Sequence, residues 1–308
     1  MATSLWPRPT CWSAVRFVPC VLALAMASCH GIRVDPSLGD KPEKLDKDVQ
    51  AAPAPPGKYS TSVSQYVFLS DFELKRNAPL FTELASLRDQ VYKELQLPGA
   101  SAQVKVYLFE NRERYETFMR AKYPDLPKRR AFFVAQPRVS GTEELLVYTY
   151  WGDRIQEDLR HELTHALLHS VLKDVPLWLD EGLAEYFEVP PTARGVNFRH
   201  LEQIRHGTTP PFKPDLTRLE QLSQVQQMTP AEYREAWAWV HLLLNDKPEA
   251  KAALVSYLQQ LRTNPNPGLL QPHLSTIYPA LDATLQSHLA HLDLAGSPQS
   301  AQAPARVQ

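Results

Sequence analysis

The sequence predicts an α+β domain: a small mixed sheet with helices, followed by a mostly helical lobe. Three observations carry that reading. Short apolar stretches of strand character alternate with amphipathic helical stretches as far as Tyr150, and after Asp153 the apolar spacing is helical almost throughout. The 308-residue chain, 44% hydrophobic and 22% charged, has a globular composition, unlike a disordered tail, a collagen or a coiled coil. With 33 Lys and Arg against 34 Asp and Glu, it carries no broad electrostatic footprint for nucleic acid, and none is expected as a partner.

Residues 1–28 contain Arg8 and Arg16, no acid, and an apolar run from Phe17 to Ala27 that is too short to span a bilayer. They resemble an export signal. Ala25-Met26-Ala27 fits ordinary signal cleavage, whereas Met26-Ala27-Ser28-Cys29 resembles a bacterial lipobox, in which Cys29 is lipidated and becomes the mature N-terminus. The lipobox reading explains Cys29, so a lipoprotein anchored to a membrane of the cell envelope is expected, with a periplasmic or secreted protein as the alternative. The cysteines are Cys11, Cys20 and Cys29, so the folded part holds no disulfide and no cysteine-based zinc site.

Residues 29–58 are polar and proline-punctuated and read as a tether. One domain is expected over residues 59–295. It opens with a strand at Tyr66 to Ser70, then a helix from about Pro79 to Leu97 in which Leu80, Leu84, Leu87, Val91 and Leu95 recur at helical spacing, ended by Pro98-Gly99. Val104, Val106 and Leu108 alternate with polar neighbours as a strand, and Asn111 can cap a helix running to Tyr123-Pro124. Strands at Ala131 to Ala135 and Glu144 to Tyr150 complete the front half. The tail, residues 296–308, is small, polar and expected to be disordered.

The chemistry concentrates in residues 157–172, EDLRHELTHALLHSVL, an amphipathic helix carrying His161 and His165 one turn apart on one face. Two imidazoles so placed can reach one ion, while Glu162 projects beside it. By chance alone, an HExxH arises in a chain this long on the order of once in a hundred. A second helix is expected over Trp178 to Glu188, with Pro176 at its start and with Glu181 and Glu185 on one face, bringing a carboxylate to the histidines. Two His and a Glu form the ligand set of catalytic zinc sites that leave a position open.

His161-Glu162-Leu163-Thr164-His165 followed by Trp178-Leu179-Asp180-Glu181-Gly182 resembles the gluzincin zinc metallopeptidases, in particular peptidase-MA-like bacterial envelope proteins. The resemblance implies Zn2+ held by His161, His165 and Glu181, and a peptide or protein substrate. Glu162 would be the general base and then acid, and Tyr233 in Pro230-Ala231-Glu232-Tyr233 the donor to the developing oxyanion. The segment that recognises a substrate amino terminus in the zinc aminopeptidases is missing, so aminopeptidase specificity is not implied.

Other residues have blander readings. Asp180 points about 100° away from Glu181 around its helix and Glu188 lies about two turns further on, so both are rivals of Glu181 as ligand. Glu185 is cast as the acceptor that orients a zinc histidine. His169 lies about 12 Å along the helix from His161, too far to share an ion, and is read as packing or surface. Trp178, Phe187, Trp237, Trp239 and Tyr257 are read as core or cleft wall, and Lys128-Arg129-Arg130 as a solvated turn. The competing function is a non-catalytic zinc-containing binding module of the envelope, against which the intact Glu162 argues, since a binder needs the ligands and not the base.

Overall fold

In the computed structural model, residues 53–75, 78–138, 143–207 and 211–292 are described. The expected export segment, Cys29, the tether as far as residue 52 and the 296–308 tail lie outside the described residues. The protein is a mixed α+β fold: one five-stranded mixed sheet and a set of helices. No helix among the described residues is long and apolar enough to cross a membrane.

The strands are β1 (Tyr59–Val63), β2 (Tyr66–Ser70), β3 (Val104–Phe109), β4 (Ala131–Pro137) and β5 (Glu143–Tyr150), in the spatial order β1-β2-β3-β5-β4. The central pairs β2/β3 and β3/β5 are parallel, with Val106 opposite Phe68 and Val147, and the outer pairs are antiparallel. Strand β1 is a finding the sequence did not announce: in YSTSV the inward positions alternate with exposed serines, but the central one is the polar Thr61, so the apolar signal that reveals a strand is weak.

Helices cover both faces of the sheet, as its nearly continuous apolar strands require. Helix α2 (Arg112–Lys122), capped by the Asn111 side chain, packs Tyr115, Phe118 and Met119 on one face against Phe132, Val134, Leu146 and Tyr148. The alternate residues Phe133, Ala135, Leu145 and Val147 face α1 (Pro79–Glu94) and α3 (Ile155–His169). Arg160, 1% exposed, ties this layer together: its guanidinium donates to Phe187 O at 2.9 Å, to Gln90 Oε1 at 3.1 Å and to Glu83 Oε1 at 3.3 Å.

Beyond α3 follow α4 (Leu177–Phe187), α5 (Phe198–His206), α6 (Leu216–Leu219), α7 (Pro230–Asn245), α8 (Pro248–Leu261), α9 (Gln271–Ile277) and α10 (Leu281–His291). Helices α4 and α7 form the tightest pair, around the fully buried Trp178, Trp237 and Trp239. Phe187 and Tyr257 are buried as well. Contact is closest at Gly182, where a Cβ would stand 2.6 Å from Ala236 O and 2.9 Å from Val240 Cγ2.

Candidate metal centre

Helix α3 starts with Glu157 and Asp158 in its first turn, where carboxylates complement the helix dipole, and buries Leu159, Leu163, Ala166 and Leu167. That register turns His161 and His165 toward α4, whose start after Pro176 points Glu181 back at them. The two Nε2 atoms are 3.2 Å apart, and Glu181 Oε2 lies 3.4 Å from that of His161 and 3.5 Å from that of His165. Three ligands of a tetrahedral zinc at bonds of about 2.0–2.1 Å stand about 3.3–3.4 Å from one another, so the triangle has the size such an ion needs. Glu181 Oε2 is buried and accepts no hydrogen bond among the described residues, an orphaned acceptor where a cation fits.

Each imidazole is held from behind by a carboxylate. His161 Nδ1 meets Glu188 Oε2 at 3.0 Å, and His165 Nδ1 faces Asp180 Oδ2 at 3.0 Å. The same Asp180 oxygen receives His169 Nε2 at 3.1 Å, so His169 is a buried brace and not a surface group. The hydrogen bond to Glu188 fixes the tautomer that leaves His161 Nε2 free for a metal, whereas His165 Nδ1 approaches Asp180 as an ion pair without hydrogen-bond geometry. Burial opposes charge on both imidazoles, but the acids outweigh it: Glu181 and Glu188 lift His161 well above its ordinary pKa, and Asp180 and Glu181 lift His165 to about 10. Against the cost of burial, the two histidines hold Glu181 well below the carboxylate range. The cluster therefore calls for positive charge.

Glu185 does not take the place expected of it. It accepts from Asn197 Nδ2 at 3.1 Å and pairs with His200 Nε2 at 2.8 Å, and although it lies within 4.8 Å of His161, the contact with that ring belongs to Glu188. The reason is local: Glu188, the C-cap of α4, keeps helical dihedrals and so shares a face with Glu181, where Asn197 Nδ2 bonds it at 2.8 Å, while Glu185 is taken up by His200. Burial, then the nearby Glu185 charge, pushes Glu188 up to about 7. Of the two rivals to Glu181, Asp180 and Glu188 thus both sit behind histidines, outside the ligand triangle.

Glu162 makes no hydrogen bond among the described residues and keeps its carboxylate beside the triangle. Burial and then Glu181 raise its pKa, against the pull of His161, His165 and Arg129. Tyr233, in the first turn of α7, is set by Thr229, which accepts from Ala231 N at 3.2 Å while Glu232 returns to Thr229 N at 2.9 Å. Its hydroxyl donates to Glu181 Oε1 at 3.3 Å and accepts from Arg129 Nη2 at 2.6 Å. Burial, then the Glu181 charge, keeps the phenol protonated.

Arg129 and Arg130 correct the solvated-turn reading. Arg130 pairs with Asp158 at 3.0 Å and Asp153 at 3.1 Å, and Arg129 is partly buried against the site because β4 begins there and draws the turn inward. A basic cluster in sequence carries no mark of which member will face in. Residues 157–266 match a family described as a protein of unknown function, DUF1570. That segment contains His161, Glu162, His165, Glu181 and Tyr233, and leaves Arg129 outside. No curated protein matches the chain.

Proposed function

We propose that the chain is a zinc-dependent metallopeptidase of gluzincin type, with the ion held by His161, His165 and Glu181. The observation that carries the reading is the triangle of 3.2, 3.4 and 3.5 Å between the three ligand atoms, with an orphaned Glu181 oxygen at one corner. When bound, zinc supplies Lewis acidity, polarising a carbonyl and acidifying a water. Glu162, free of hydrogen bonds, takes the proton of the attacking water and passes it to the leaving amine. Tyr233 donates to the carbonyl oxygen as charge develops there, a role that needs the protonated phenol its surroundings maintain. Glu188 and Asp180 hold the imidazoles, and the lipobox-like run ending at Cys29 supports an envelope lipoprotein, which release of a Cys29→Ala variant from the membrane fraction would test.

Elemental analysis and peptide-library cleavage test the reading together. The wild-type chain should hold stoichiometric zinc, His161→Ala and Glu181→Ala should lose it, and Glu162→Gln should keep it while losing hydrolysis. A chain that takes up no zinc overturns the metal site, and Glu162→Gln cleaving at the wild-type rate overturns the mechanism. Stoichiometric zinc without cleavage of any peptide would favour the non-catalytic module.

A further inference from the structure

Arg129 is partly buried, yet among the described residues no carboxylate pairs with it, in contrast to Arg130, which holds Asp153 and Asp158. Taking a guanidinium partly out of water without an anion is costly, so Arg129 is not explained as a structural ion pair. Its one hydrogen bond runs from Nη2 to the Tyr233 hydroxyl oxygen, at 2.6 Å and across 104 positions of sequence. The guanidinium carbon lies 5.7 Å from the centre of the Tyr233 ring and 6.0 Å from that of Phe132, so the group rests against the start of β4 and the first turn of α7 together.

A phenol has one proton to give and lone pairs with which to receive. On the receiving side, the contact of the Tyr233 oxygen is short and charge-assisted; on the giving side, Glu181 Oε1 stands 3.3 Å away, at the long limit of a hydrogen bond. The hydroxyl is therefore anchored by Arg129 and only loosely engaged by Glu181. Oε2 of that same carboxylate is a corner of the ligand triangle, so the loosely held end of the phenol is the one that faces the site. Without the arginine, the hydroxyl could turn about its C–O bond or take a hydrogen bond from water. With Nη2 on its lone pair, the O–H is left to point away from Arg129 and toward Glu181.

We infer that Arg129 is a positioning residue for the reaction: it holds the acceptor side of the Tyr233 hydroxyl, which leaves the single O–H aimed into the site and free to exchange Glu181 Oε1 for the carbonyl oxygen of the scissile bond. This rests on the zinc peptidase reading, with Tyr233 as the donor to the oxyanion. No proton changes hands; a long hydrogen bond is exchanged for a stronger one as negative charge grows on the carbonyl oxygen. Only one N–H of the guanidinium fork is used, so a lysine at position 129 should serve in part, which a bidentate contact would not allow.

The test reads binding as well as turnover, in the zinc-loaded full-length chain. The peptide that the wild type cleaves fastest is remade as a phosphinate, whose tetrahedral anionic centre mimics the transition state. The phosphinate is titrated calorimetrically into wild type, Arg129→Met, Arg129→Lys, Tyr233→Phe and the Arg129→Met/Tyr233→Phe double variant, and the peptide into Glu162→Gln with and without Arg129→Met. Arg129→Met should weaken the phosphinate by about 10–100-fold, lower kcat by a like factor and leave peptide affinity within about threefold, with zinc content unchanged and Arg129→Lys losing less. On top of Tyr233→Phe the same substitution should cost less than about twofold, because the arginine acts through the phenol. Undiminished phosphinate affinity in Arg129→Met, a full further loss in the double variant, or equal losses for peptide and phosphinate overturn the inference and leave the zinc peptidase reading standing. A wild-type chain that holds zinc and cleaves no peptide overturns both.

Discussion

Replacing Gly182 by alanine probes the α4–α7 contact that carries Tyr233 to the site. The added Cβ would meet Ala236 O at 2.6 Å, against the 3.4 Å of an ordinary contact, so the helices must separate by 0.8 Å at that point. The obstacle is backbone and cannot rotate aside. Overpacking against backbone falls in the upper part of a range of about 1–3 kcal/mol, at about 2–3 kcal/mol, while alanine in place of glycine returns about 1 kcal/mol of helix propensity, so a net loss of about 1–2 kcal/mol is expected. For a domain of this size that lowers Tm by roughly 2–8 °C. Tyr233 lies one turn before Ala236, so the same movement carries its hydroxyl from 3.3 Å beyond hydrogen-bonding distance of Glu181. Zinc content should hold, because the three ligands come from α3 and α4, while the rate of hydrolysis falls by about tenfold or more. Calorimetry, elemental analysis and a peptide-cleavage assay read the three quantities. A Gly182→Ala chain as stable as wild type, or more so, would refute the close approach.

Glu188→Gln should weaken zinc binding by about 10–100-fold while Glu185→Gln weakens it less, measured by competition with a chromogenic chelator; equal losses would contradict the contact between Glu188 and His161. Tyr233→Phe should lower kcat by about 10²–10³-fold with zinc content unchanged, and an unaltered kcat would remove Tyr233 from the mechanism. His241 of α7 meets His288 of α10 at 2.9 Å; burial and the His288 charge push His241 down to about 3, and burial lowers His288 in spite of Asp246 4.0 Å away. Both folded-state values lie below the unfolded one, so between about pH 6.5 and 3 the unfolded chain binds more protons and stability falls as pH falls. About 1–2 kcal/mol should be lost from pH 7 to 5, and a urea-melt series in which His241→Asn shows the same loss would exclude this pair as its source.

The parts of the fold legible in the sequence are those in which local periodicity and tertiary burial agree. The strands at Tyr66 and Val104, the Asn111 cap and the HExxH helix are of this kind, because each buries the side chains that its own period sets on one face. Strand β1 was not legible, since the face that it buries is centred on the polar Thr61 and is only five residues long. In the site, the four-residue step from His161 to His165 states that their rings share a helix face. Glu185 was favoured as a brace by the same helical step from Glu181. The same period also puts Glu188, seven residues after Glu181 and still in helical conformation, on that face, and which of the two carboxylates meets His161 is decided by Asn197 and His200, which take up Glu185. Arg129 was illegible for a different reason: its inward aim is set by where β4 joins the sheet, a long-range property.

Every imidazole and carboxylate that forms or braces the ligand triangle comes from residues 161–188, with Asn197 and His200 close behind. Tyr233 and Arg129 reach it from opposite directions along the chain. Closing so short a span costs little chain entropy, whereas bringing in the two outlying groups depends on the sheet and on α7 being built. The two halves of the work are thus separable in heredity. On the proposed function, changes around residue 129 would alter the surroundings of Tyr233 while the run that would hold the metal keeps its own ligands and braces.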